Sequence, residues 1–341
     1  MSGPTAPHPS ATAPIPLLPA HPCSPGADTT RVEPEEIPLS FAQERMWFLE
    51  RLDPGQPTYH VLSALRLGGA LHPEALARAL AAVVARHDAL RTRFRERHGR
   101  PLQLVDPPAD TFPLPVLDLS ALHAREPVLR RVLHQAARHP FDLERGPVLR
   151  TLLVRLGPAE HVLLVCMHHI ISDRWSMGLF WRDLARHYDA FTRGERLRLP
   201  GPELRYADFV LWQRAQLQGE PLERQLRYWE ERLAGAPLGL ELPGDRPRPA
   251  VRSARGGAVH WVLDETRSEA LRALRRREGA TLHMLLLSAF AVLLGRYTGE
   301  EDLVVGTPVA GRPRREVEEV IGLFVNTLAL RVNLSGAPSF R

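Results

Sequence analysis

The segment HVLLVCMHH, residues 161–169, is apolar at almost every position. Successive strand side chains point to opposite faces, so a strand apolar on both faces must be covered on both. The fold therefore needs a sheet with structure packed against its two sides. A second apolar run, PVLRTLLVRL at 147–156, precedes it, and Gly157-Pro158 between the two predicts a hairpin turn. PLSFAQERMWFLERL, 38–52, has apolar residues at helical spacing with Ser40 as N-cap. PEALARALAAVVARH, 73–87, starts on a proline suited to a first helical turn. The pattern predicts further helices over 124–138, 176–191, 206–233, 265–277 and 281–297, and in part of 316–324. It predicts strands over 61–67, 89–95, 102–105, 258–263, 302–309 and 327–334. This is an α/β chain, an α+β sandwich, and the alternation recurs on both sides of a Pro- and Gly-rich break at 234–257. Two lobes of related construction follow.

Residues 1–38 hold ten of the 32 prolines, a composition that cannot pack a core and predicts an extended linker or tail. The predicted organisation is thus a disordered linker over 1–36, an N-terminal lobe over 37–235 and a partial second lobe over 236–341. No apolar run approaches the ~20 residues that span a bilayer, and no basic region followed by an apolar one opens the chain. A cytoplasmic protein with no membrane partner is expected. The net charge of +5 invites a nucleic-acid reading, but the 44 basic residues are all arginine, scattered among 39 acids without a block. No nucleic-acid partner is expected. Two cysteines, Cys23 and Cys166, build neither a disulfide scaffold nor a four-thiolate metal site.

The chemistry concentrates in MHHIISDRWSMG, 167–178, where two histidines end the buried strand and an aspartate follows the second by four residues. Alternation sends His168 and His169 to opposite faces, which argues against a shared metal. One ring packs inside while the other is free to handle protons near its ordinary pKa of ~6.5. Asp173 suits a brace for the loop, through an arginine or a ring nitrogen. Arg174 to Gly178 resembles a GxSxG nucleophile turn, but arginine stands at the first glycine position, and Ser176 fits better as the N-cap of the next helix.

MHHIISDRWS resembles the HHxxxD motif of nonribosomal peptide synthetase condensation domains, a motif shared with other chloramphenicol acetyltransferase-like acyltransferases. LSFAQERMWFL (39–49), RHDALRTRF (86–94), YADFVLWQ (206–213) and IGLFVNTLALR (321–331) resemble that family's opening, second, fourth and fifth motifs, in order. The resemblance runs from about Ile37 to Arg341. It implies two chloramphenicol acetyltransferase-like lobes forming a V, with the second incomplete because the later motifs are absent. It also implies amide bond formation between two carrier-bound thioesters, as in antibiotic and other secondary-metabolite synthesis. The expected partners are upstream and downstream peptidyl carrier proteins and an adenylation domain. No tightly bound cofactor is expected, since substrates arrive on phosphopantetheine arms.

By the same resemblance His169 faces a channel and holds or deprotonates the acceptor amine. His168 and Asp173 are mainly structural, with Asp173 salt-bridged to Arg91. Trp175 and Ser176 set the loop and helix start, Gly178 allows close packing, and Asn326 lines the channel from the second lobe. Trp47 and Phe48 are expected in the core, with Gln43 and Arg45 nearer the channel. Arg174 stands where the family usually has glycine. The alternatives are an epimerization domain, another HHxxxD acyltransferase, and a non-catalytic carrier-docking relic.

Overall fold

The computed structural model describes residues 36–340 except 196, 198, 200, 246, 248, 249, 251–255 and 337. The predicted linker, save Glu36, lies outside the described residues. Contacts divide the chain into two units, Met1–Leu222 with Ala310–Asn326, and Glu223–Val309 with Thr327–Arg341.

The first unit runs β1 (Ile37–Pro38), α1 (Phe41–Leu52), β2 (His60–Gly68), α2 (Pro73–Arg86), β3 (Thr92–Arg97), β4 (Arg100–Val105), β5 (Val116–Asp118), α3 (Arg125–Arg138), β6 (Leu149–Gly157), β7 (Glu160–His168), α4 (Arg174–Thr192) and α5 (Tyr206–Gln216). Its larger sheet has the order β2-β7-β6-β5, and a smaller one the order β1-β4-β3. The doubly apolar run is β7, buried from His161 to His168 and paired antiparallel on both edges, with β2 and β6. It needs covering layers, and α1, α2, α4 and α5 contribute Trp47, Leu80, Phe180 and Val210 to the same core as Leu163, Val165 and Met167. Ser40 caps α1 as expected: its Oγ accepts from Gln43 N, and the Gln43 side chain returns the bond to Ser40 N at 3.0 Å.

Several expectations are corrected. Thr92 opens β3 because residues 88–91 form a one-turn 3-10 helix. The stretch 206–233 is two helices, α5 and α6 (Gly219–Leu233), broken where Gly219 takes φ +54°. Of 316–324 only the edge of a 3-10 turn, Arg315–Val317, is regular. Residues 258–263 are not a strand, and Val259, Trp261 and Val262 stand exposed. Alternation supplies the right side chains there, but no neighbouring ladder takes up the backbone groups. Phe48 is 63% exposed, whereas Trp47 is buried as expected.

The second unit holds most of α6, then α7 (Glu265–Arg277), α8 (Leu282–Thr298), β8 (Asp302–Val309) and β9 (Asn326–Asn333), the two strands pairing only with each other among the described residues. No single helix among the described residues is long and apolar enough to cross a membrane.

Where α2 meets α4, the fully buried Asp183 carboxylate accepts from Arg86 Nε (3.0 Å), His87 Nε2 (2.9 Å) and Arg182 Nε (3.0 Å). Burial pushes its pKa up, but the bonds from His87 and Arg182 outweigh it and hold the carboxyl down at about 2. A folded-state pKa below the ordinary 3.8 means stability that is complete above that value and is lost as pH falls through about 2. The loss should reach about 2–3 kcal/mol. His87, pushed below 6.5 by burial, adds a loss that begins as pH falls below 6.5. Urea unfolding at pH 4 and pH 2.5 checks the Asp183 contribution. The wild type should lose more stability over that interval than Asp183→Asn, and equal losses would contradict the assignment.

Candidate active site

At its C-terminal end β7 delivers His168, and the chain turns at once into a 3-10 turn, His169–Ile171. His168 is fully buried, and its Nδ1 accepts from Ile170 N at 3.1 Å. The rings of Phe141 and His60 stand edge-on to it at 6.0 and 6.3 Å. Its Nε2 lies 3.5 Å from Glu50 Oε2 on α1. His169 is half-buried, and its Nδ1 is buried without a hydrogen-bond partner. The His169 carbonyl accepts from Ser172 N at 3.2 Å. Gln43, expected nearer the channel, is instead 1% exposed and ties α1 to this turn, its Nε2 donating to Ile170 O at 3.3 Å.

Asp173 is the N-cap of α4, a place the sequence pattern assigned to Ser176. Aspartate takes it because its carboxylate reaches the amide three residues on, with Oδ1 accepting from Ser176 N at 2.8 Å. Oδ2 accepts from Phe324 N at 3.1 Å, and Arg312 Nη2 lies 3.5 Å from Oδ1. The expected pair with Arg91 does not form. Arg91 is engaged locally, by the Asp88 carboxylate and the Asp106 carbonyl, while Arg312 comes to Asp173 from far along the chain. Ser176 Oγ donates to Gly322 O (2.8 Å) and accepts from Gly322 N (3.1 Å) and Arg312 Nη2 (2.9 Å). Arg312 also donates to the Val317 and Val320 carbonyls and lies 3.9 Å over the Phe324 ring. Trp175 Nε1 donates to Glu318 O at 2.9 Å. The loop after the second histidine is thus a clamp on the segment 310–326.

Tyr206 closes that clamp. Its buried hydroxyl donates to Leu323 O at 2.6 Å and lies 2.9 Å from Ser40 Oγ. Burial pushes the phenol well above its ordinary pKa, so it stays a neutral donor. A Cβ on Gly322 would fall 2.0 Å from the Tyr206 ring, and the hydroxyl bonds prevent the ring from withdrawing. Gly322→Ala is therefore expected to cost about 1–3 kcal/mol by overpacking. An unchanged urea midpoint would show that the segment yields freely. Gly178, by contrast, is exposed, and a Cβ there would meet nothing within 4 Å, so the expected close packing is absent. Arg174 is exposed and forms no ion pair among the described residues. Asn326 groups with the first unit, where its Oδ1 accepts from Arg45 Nη1 at 3.2 Å.

The sequence pattern missed Glu50 and Arg312. Glu50 follows the opening motif by one residue, a weak signal. Arg312 is one of three arginines in GRPRR, 311–315, and nothing local selects it.

The chain matches the family model described as Condensation domain over residues 33–341. It belongs to the condensation domain family. Condensation-domain relatives include a linear gramicidin synthase of Brevibacillus parabrevis, 47% identical over 90% of this chain and 4% of that one. Phosphinothricin tripeptide synthetase PhsC of Streptomyces viridochromogenes is 43% identical over 97% of this chain and 30% of its own length. The chain therefore spans well under half the length of these curated relatives. Among solved structures, the first condensation domain of the calcium-dependent antibiotic synthetase, in complex with a substrate analogue, aligns with TM-score 0.75 at 29% identity, over 90% of this chain and 70% of that one. The X-domain from teicoplanin biosynthesis aligns with TM-score 0.80 at 34% identity, over 90% of this chain and 68% of that one. The expected α/β class agrees with these condensation domain structures.

Proposed function

We propose that this condensation domain forms an amide bond between a carrier-bound donor acyl or peptidyl thioester and the amine of a carrier-bound acceptor aminoacyl thioester. The amine nitrogen attacks the thioester carbonyl, the C–S bond breaks, and the donor carrier's thiol leaves with the proton lost by the amine. The observation that supports this reading is His169. Its ring sits at the end of a rigid buried strand and makes no side-chain hydrogen bond among the described residues, so it is free to take the amine's proton or hold the amine in line. Tethering both substrates supplies proximity, which leaves the protein mainly positioning to do. His168 and Asp173 support the turn and the clamp, with Trp175, Ser176 and Asn326 around them. The carriers would be loaded by an adenylation domain using ATP, in the cytoplasm.

The test mixes the chain with a donor-loaded and an acceptor-loaded carrier protein and follows both by intact-protein mass spectrometry. Appearance of the donor mass on the acceptor carrier supports the proposal. Inversion of a stereocentre without transfer would mean epimerization. A second reading, a docking module without chemistry, has one observation in its favour: the X-domain neighbour is also crystallised in a complex with OxyB. Carrier binding with no transfer would favour that reading.

A further inference from the structure

The buried nitrogen of His168 that faces α1 has one acid near it. Nδ1 of this ring accepts the Ile170 amide, so it carries no proton, and a neutral ring must then carry its proton on Nε2. That Nε2 has no fully formed hydrogen bond among the described residues, and Glu50 Oε2 stands 3.5 Å away. Glu50 is held in turn: its Oε1 accepts from Gly55 N at 3.0 Å, and its side chain is 12% exposed. The other groups around the ring do not replace it. His60, directly opposite on β2, places its Nδ1 2.6 Å from Ala137 O, Phe141 presents a ring edge, and Arg150 on β6 is a cation.

We infer that Glu50 is a positioning residue: it holds His168 in the Nε2–H tautomer, so that Nδ1 stays free to cap the turn that presents His169. The mechanism is a chain of three contacts, carboxylate to imidazole, imidazole to Ile170 amide, and turn to His169. A proton on Nδ1 would set two donors against each other at Ile170 and loosen the turn. Burial raises the Glu50 pKa, but the nearby His168 ring and the Gly55 amide outweigh it, which keeps the carboxylate charged and accepting. The kinetic consequence rests on the amide-forming proposal, and the tautomer does not.

Glu50→Gln is the discriminating variant. Glu50 offers an oxygen to each of two N–H groups, whereas glutamine must turn its NH2 toward one of them. With ¹⁵N-histidine-labelled full chain, long-range ¹H–¹⁵N spectra should show His168 as Nε2–H in the wild type and a shifted tautomer balance in Glu50→Gln. Transfer between loaded carriers should fall about 10- to 100-fold in kcat with KM for the carriers unchanged, as displacement of a reacting group predicts. A wild-type ring protonated on Nδ1 overturns the inference without any variant. So does a variant whose His168 spectrum is unchanged, or one with a changed tautomer and full kcat. If the wild type transfers nothing, the amide-forming proposal fails, and the tautomer measurement still decides the role of Glu50.

Discussion

Asp173→Ala is expected to destabilise the first unit by about 3–5 kcal/mol, because it leaves the buried Arg312 cation without its carboxylate. Both side chains are nearly inaccessible, Arg312 at 2% and Asp173 at 4%. Burial already pushes the Arg312 pKa down, and the Asp173 charge is the leading influence opposing that shift. The same substitution removes the N-cap of α4 and the acceptor for Phe324 N. A loss of this size lowers the midpoint of thermal unfolding by about 6–20 °C in a domain of this length. Arg91→Ala should cost far less, since Arg91 is partly exposed and bonded only to Asp88 and Asp106. Combining Asp173→Ala with Arg312→Met should recover part of the loss, because the orphaned charge goes with its partner. Thermal unfolding of the three variants checks this. An Asp173→Ala chain with a wild-type midpoint would remove the clamp from the account.

His169→Ala should do the opposite, abolishing turnover while sparing the fold. The ring makes no side-chain hydrogen bond among the described residues, and its backbone contacts survive the change. Stability should stay within about 0.5–1 kcal/mol of wild type. Transfer between loaded carriers should fall about 10²–10⁴-fold, the usual worth of a side chain that moves a proton at the reacting centre. Measuring product by mass spectrometry beside the melting midpoint separates the two effects. Full yield from a folded His169→Ala chain would move the chemistry elsewhere.

Together the two variants divide one motif into a chemical part and a mechanical part. The histidine doublet does this by geometry, since consecutive residues at a strand end cannot face the same way. His168 turns into the core among Phe141, His60 and Glu50, and His169 is left half-exposed on a turn. The aspartate belongs to the helix that follows, where its carboxylate serves the helix end, a distant amide and a distant arginine together.

Local chemistry was enough to read the central strand, the capping of α1 by Ser40, the proline-led start of α2 and the split of His168 from His169. Each depends on neighbours a few residues away: side-chain alternation, a hydroxyl within reach of the third amide, a ring that suits a first turn. The motif order carried the family as well. Tertiary structure alone decided who pairs with whom. Asp173 meets Arg312 rather than Arg91 because a segment more than a hundred residues later folds back over the loop, and no periodicity encodes that return. Glu50 reaches His168 for the same reason, across a helix and a strand that only packing brings together. The stretch 258–263 makes the converse point: it has strand-like alternation and no strand, because a strand exists only where another offers it hydrogen bonds.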